Sequence, residues 1–281
     1  MAEGLTGAPC AQTIDGIPFV LQAPFDFSFL HEYGRVFKVF DDQDSGNICF
    51  GTEKNGERYF IKFAGALPAR YVGAPTDAVA RLRAALPLYC ALRHPALIEL
   101  VSAREVGGGL ACAFQWARGE CMGRMYPEAR RRFMAADLST RRSVFRDVLS
   151  FFAYVAAAGY VAIDFYDGSI LYDFESGKTT ICDIDFFRKS PAVNDRGRMW
   201  GSSRFMSPEE FAPGAPLDEV TNVYTLGATA FALFSDFDRS AACWPLGERA
   251  YRTALRAVSD KRTERQRSIR EFAAEWEAAL A

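Results

Sequence analysis

The stretch Gly159–Phe187, GYVAIDFYDGSILYDFESGKTTICDIDFF, constrains the fold of this chain more than any other. Two short apolar and β-branched runs, SILYDF and KTTICDI, flank Glu175-Ser176-Gly177, which is turn chemistry because glycine reaches positive φ at no steric cost. The pattern predicts a β-hairpin with Asp164 and Asp167 at one mouth, and with Asp183 and Asp185 returning to the same mouth on the second strand. Four carboxylates drawn together repel by about 1 kcal/mol or more per close pair, so the arrangement calls for a cation, a shared proton or generous solvation. Mg2+ carrying phosphate is the obvious candidate, since it takes one or two protein carboxylates and completes its shell with substrate oxygens.

A chain of 281 residues, 49% hydrophobic and 14% aromatic, buries a sizeable core and is long for one compact domain, so two lobes are expected. The net charge of −2 gives no reason to expect nucleic acid or an anionic membrane as a partner. The seven cysteines form no C-x-x-C pair and mostly lie in apolar runs, which reads as reduced core thiols of a cytoplasmic protein rather than a zinc site. No signal peptide and no run of eighteen apolar residues is present, so a soluble intracellular protein is expected. The oligomeric state is not legible.

Upstream, GRVFKVF (34–40), NICFGT (47–52) and RYFIKF (58–63) predict a three-stranded antiparallel meander, and residues 77–93 carry helical spacing that Pro87 should kink or shorten. Residues 1–33 read as an N-terminal extension that packs or frays. Downstream, Ser139 or Thr140 should cap a helix with Val144, Val148, Phe152 and Val155 on one face. The segment between DIDFFRK and GSSRFMSPEE reads as a short polar loop.

Taken in order, these motifs resemble the eukaryotic-type Ser/Thr protein kinases, and the chain looks like a divergent bacterial-type member of that family. GYVAID stands where the family has its H-R-D loop, SIL where N-I-L follows, DID for D-F-G, GSSRFMSPEE for G-T-x-x-Y-M-A-P-E, and LDEVTNVYTLG for D-x-x-S-D-V-W-S-L-G. The resemblance implies an α+β bilobal kinase-like fold: an extension at 1–33, an antiparallel-sheet N-lobe at 34–117 and a mainly helical C-lobe at 118–281. It implies ATP and Mg2+ as cofactors and a protein Ser/Thr hydroxyl as substrate, with Asp164 orienting the hydroxyl and Lys62 holding the phosphates as catalytic residues. It places Asp183 on the metal, with Asp185 as fallback and Ser169 in place of the second-metal Asn; Asp167 is a further possible ligand. Gly46, Ile48, Gln115, Ala117 and Glu120 would line the nucleotide site, and Phe114 would be its gatekeeper. Ser202 would dock substrate, Glu209 and Arg265 would form a buried bidentate bridge, and Asn222 would bond the catalytic-loop backbone.

The departures from the family pattern are specific. DDQDSG (41–46) replaces the glycine-rich phosphate cover, Ala85 stands where the family's helix glutamate would be, Ala162-Ile163 replace His-Arg, and Phe60 occupies a position bordering the adenine slot. An alternative function is therefore a pseudokinase scaffold with a plugged nucleotide slot, and a third is a kinase-like small-molecule phosphotransferase. His94, in HPALI, reads as structural.

Overall fold

The structure, a computed structural model, describes residues 9–281 and shows an α+β protein with antiparallel sheets. The first eight residues of the N-terminal extension lie outside the described range. The chain divides into two compact units, one formed by the chain up to Ala91 with Ile98–Ala117, the other by Leu92–Leu97 with Arg118–Ala281.

In the first unit, β1 (Cys10–Ile14) and β2 (Ile17–Leu21) form a hairpin, and β3 (Arg35–Phe40), β4 (Asn47–Lys54), β5 (Glu57–Ala64), β6 (Leu100–Val106) and β7 (Gly109–Gln115) form an antiparallel sheet in the order β3-β4-β5-β7-β6. Strand residues alternate between faces, and here the two faces bury different partners. Val36, Ile48, Phe50, Ile61, Phe63, Ala111 and Ala113 pack against Phe19, Leu21, Phe27, Phe29 and Leu30, so residues 9–33 are a packed layer on the sheet rather than a fraying tail. Their attachment is also polar, since Asp15 accepts from Val36 N at 2.7 Å and Asp41 from Val20 N at 2.8 Å. The opposite face carries Phe60, Lys62 and Phe114 and is met by helix α1 (Pro75–Ala91), whose Tyr89 ring lies 4.9 Å from that of Phe114. The helix runs through Pro87 to Ala91, so the expected shortening does not occur. Burial of Ala78, Val79, Leu82, Ala85, Leu88 and Tyr89 along one stripe offsets the lost backbone bond.

The second unit is mainly helical. It runs through β8 (Glu120–Cys121), α2 (Pro127–Met134), α3 (Leu138–Ala157), β9 (Tyr160–Val161), β10 (Ile170–Tyr172) and β11 (Thr179–Ile181). There follow β12 (Arg188–Lys189), β13 (Ala192–Val193), β14 (Pro216–Leu217), α4 (Glu219–Ser235), α5 (Gly247–Ala257) and α6 (Ile269–Leu280). Helix α4 is mostly apolar and is buried from Thr221 to Ser235, where Thr225 and Thr229 turn their hydroxyls back to the carbonyls four residues earlier. Aromatic contacts tie it to its neighbours: the Trp276 ring of α6 lies 4.6 Å from Phe145 of α3, tilted by 53°, and 5.8 Å from Phe234 of α4. The cap of α3 is Asp137, not Ser139 or Thr140; its carboxylate accepts from Thr140 N at 2.7 Å. A carboxylate one turn earlier does what either hydroxyl was expected to do.

The segment expected to be a plain loop contains two short ladders, β12 with β9 and β13 with β14, tied by the buried Asn194. Its amide donates to Gly197 O and Glu209 O and its oxygen accepts from Arg196 N and Gly197 N. None of the seven cysteines is in a disulfide, but only Cys49 and Cys112 are buried, while Cys90 and Cys243 are exposed. The expectation of core thiols therefore holds for a minority of them. Among the described residues no helix is long and apolar enough to cross a membrane.

Candidate functional site

The hairpin predicted from Gly159–Phe187 is present as β10 and β11, with Ile170 opposite Ile181 and Tyr172 opposite Thr179. Asp173 builds its turn by accepting from Glu175 N at 2.9 Å and Ser176 Oγ at 2.7 Å, and Gly177 takes φ +70°. At the open end the backbone N–H of Cys182 donates to Ser169 O at 2.9 Å, which sets Asp183 one residue beyond that bond. Asp164 and Asp183 both adopt left-handed backbone, with φ of +63° and +61°. For a residue other than glycine that conformation costs on the order of 1 kcal/mol, and it persists only where surroundings impose it.

The loop of Asp164 also carries Tyr166, which the sequence reading overlooked. Burial pushes its phenol above the ordinary range, and the charges of Asp183 and Asp164 push it the same way. The phenol therefore stays protonated and is a hydrogen-bond donor. Gly168 makes room for the ring: a Cβ there would meet Tyr166 Cε2 at 2.2 Å. Gly201, at φ +132°, brings the GSSRF turn onto the same loop, since a Cβ on it would lie 3.4 Å from Asp164 Cα.

Asp167 does not join the mouth, contrary to the four-carboxylate arrangement expected. It is fully buried and turned inward, accepting from Arg130 Nη1 at 3.1 Å and from both Arg204 Nη1 and Nη2 at 3.0 and 3.1 Å. Arg130 also binds Asp236, Met122 O and Ala232 O, and the Phe237 ring lies 4.7 Å from Arg130 and 4.4 Å from Arg204. A carboxylate already paired with two guanidiniums is unsuited to a metal, so Asp167 is excluded as a ligand. Asp185 is buried and Asp183 half-buried. Ser169 is fully buried and its Oγ has no hydrogen-bond partner. Among the described residues no three His, Cys, Asp or Glu side chains cluster as a self-sufficient metal cage.

The loop is braced from below by Asn222 of α4, whose oxygen accepts from Ala162 N at 2.8 Å and whose amide donates to Ala162 O at 2.7 Å. Glu209 and Arg265 form a bidentate pair at 2.7 and 3.0 Å, and Arg262 adds a bond to Glu209 at 3.0 Å. Burial raises the Glu209 pKa, but Arg265 outweighs it and the net position is below the ordinary value. Its neighbour Glu210 is pushed up to about 7 by burial, although Ser207 donates to it through N and Oγ and the Arg265 charge pulls the other way. The Ser202 carbonyl accepts from Phe205 N within the turn. Glu120 is held at 2.6 Å by Arg132, a contact that a ribose role would have to displace. Desolvation pushes the Cys121 thiol, behind Gly168, up to about 11. His94 accepts from Ala96 N at Nδ1 and contacts Ser150 Oγ through Nε2 at 3.2 Å, consistent with a structural role.

In the first unit, Lys62 is buried on β5, directly opposite Cys49 and Cys112, and Phe60 shares its face. Ile48 is opposite Phe63 and points into the core on the other face, so the expected nucleotide-lining role is corrected: Cys49, not Ile48, shares the Lys62 side. The sequence placed it one residue off because a strand's face reverses with every residue. The acidic turn folds onto its own unit: Arg81 donates to Ser45 O, Arg70 pairs with Asp42 at 2.8 Å, and Gly46 packs against Tyr71 and Ala78. Gln115 is exposed with its N–H on Glu99 O, and Ala117 is half-buried. Comparison of the chain with protein-family models and with curated protein sequences finds no match.

Proposed function

We propose that the chain is an ATP- and Mg2+-dependent phosphotransferase of the eukaryotic-type Ser/Thr protein kinase plan, with the bilobal kinase-like fold that plan entails. The observation that carries the reading is that the β10–β11 pairing joins two loops whose acidic residues, Asp164 and Asp183, each hold a costly left-handed backbone conformation. Asp164 would orient a protein hydroxyl and receive its proton as the hydroxyl oxygen bonds to the γ-phosphorus of ATP and the bond from that phosphorus to the departing ADP breaks. The donor set fits Mg2+: Asp183, the partnerless hydroxyl of Ser169 and the nearby Asp185 are hard oxygens, and Mg2+ takes most of its remaining shell from phosphate and water. The ion would neutralise charge on the transferred group. Lys62 is assigned the phosphates from the resemblance, as is the nucleotide contact of Gly46, Gln115, Ala117 and Glu120, and a cytoplasmic setting goes with such chemistry.

A specific observation favours the pseudokinase as second reading. On the Lys62 face the Phe60 ring lies 5.7 Å from Phe40 and 6.4 Å from Phe114, an aromatic group at the edge of the position where adenine would bind. Thermal denaturation with ATP and MgCl2 separates the two, because a ligand at 100 times its Kd stabilises by about 2.7 kcal/mol. Stabilisation together with phosphate transfer that is lost in Asp164→Ala and Asp183→Asn supports the enzyme; no shift at millimolar nucleotide supports the scaffold.

A further inference from the structure

The segment leading to the GSSRF turn is strongly basic in a chain that is not. Between Phe187 and Trp200 stand Arg188, Lys189, Arg196 and Arg198 against the single carboxylate of Asp195, a net of +3 where the whole chain is −2. Asp195 is itself paired with Arg188 at 3.1 Å, which leaves Lys189, Arg196 and Arg198 as its positive surface. The segment is shaped from within by Asn194 and the β13–β14 ladder, so the cations stand on ordered backbone. Arg196 lies over the Trp200 ring at 4.3 Å, and Trp200 is backed by Phe186 at 5.4 Å while remaining 37% exposed. Arg198 donates to Met199 O, to Gly201 O at 2.9 Å and to Ser203 Oγ at 3.1 Å, with Phe211 alongside and 42% exposed. Gly201 in turn packs on the backbone of Asp164. A guanidinium bonded to Gly201 is therefore one residue removed from the backbone of Asp164.

We infer that this face, formed by Lys189, Arg196, Arg198, Trp200 and Phe211, docks an acidic peptide and presents its hydroxyl to Asp164. The substrate class is thus a Ser or Thr flanked by Asp and Glu; this rests on the phosphotransferase reading, but the docking itself does not. Charge complementarity selects the sign, and exposed aromatic rings beside the cations supply contact area that a purely electrostatic patch lacks. A polynucleotide fits less well, because the remainder of the chain is net acidic and would repel a long polyanion.

Fluorescence anisotropy with the full chain and no nucleotide tests the docking independently of any transfer. Three probes are used: a labelled peptide with Ser amid Asp and Glu, the same peptide with Lys in their place, and a single-stranded oligonucleotide. Because Arg198 is bonded inward and its loss could disturb the turn, the variants are Arg196→Glu and Lys189→Glu, alone and together, with Trp200→Ala. The acidic peptide is expected to bind, more weakly as salt rises from about 0.05 to 0.5 M, and roughly tenfold more weakly to the double variant. Equal binding of the Lys peptide, unchanged binding in the double variant, or preferential binding of the oligonucleotide overturns the inference. Acidic-peptide binding without phosphate transfer would retain the docking surface and remove only the enzymatic reading.

Discussion

Asp167→Asn is the most informative single change, because Asp167 is the point where the loop carrying Asp164 is fastened to the turn carrying Gly201. The carboxylate is fully buried and accepts three bonds from two guanidiniums, at 3.1, 3.0 and 3.1 Å. An amide of the same shape keeps one acceptor oxygen but turns an NH2 group toward a guanidinium that can only donate. Breaking a buried ion pair costs about 3–5 kcal/mol because a charge is left uncompensated. Here Arg130 keeps Asp236 at 2.5 Å and two carbonyls, and Arg204 has a 27% exposed side chain, so the cost falls to roughly 2–4 kcal/mol. Urea unfolding followed by tryptophan fluorescence measures it, since Trp200, Trp244 and Trp276 all belong to the second unit. Arg204→Gln is expected to cost less, and the double variant less than the sum, with a coupling of about 1 kcal/mol or more. A loss below about 1 kcal/mol for Asp167→Asn, or strictly additive losses, would refute the clamp.

Two further predictions follow from the same unit. Glu210 has its folded-state pKa raised from 4.5 to about 7 by burial, so between those values the folded protein holds a proton that the unfolded chain has released, and stability falls as pH rises through that window. The loss approaches about 3 kcal/mol above pH 7, and comparing unfolding free energies at pH 5 and 8 should show Glu210→Gln to be flatter than the parent. The difference between the two proteins isolates Glu210, because the half-buried His94, whose pKa desolvation lowers, acts in the opposite sense in both. Asn222→Ala removes both bonds to Ala162 and strands a buried N–H and C=O, for a loss of roughly 2–4 kcal/mol by urea denaturation; a loss under about 0.5 kcal/mol would show that the brace is dispensable.

Local pattern determined much of this protein. The turn at Glu175-Ser176-Gly177 and the two runs around it specify the β10–β11 hairpin, because glycine and a side chain that mimics a backbone turn act over a few residues. The largely apolar run 223–234 reads as a buried helix for the same reason, whereas the pairing of Glu209 with Arg265 was implied by the resemblance and not by local pattern. Only the tertiary structure decided the rest. Asp167 and Arg130 are 37 residues apart, and nothing in the local pattern of either marks them as partners. Ile48 went to the core face because register, set by pairing with β5, assigns a side to every residue of β4. Pro87 stayed inside α1 because a buried stripe outweighed its helix-breaking tendency. Gly201 came to lie against the backbone of Asp164 only once two segments separated along the chain were brought together. Propensity and turn chemistry act between neighbours in sequence, whereas charge pairing, strand facing and burial depend on neighbours in space.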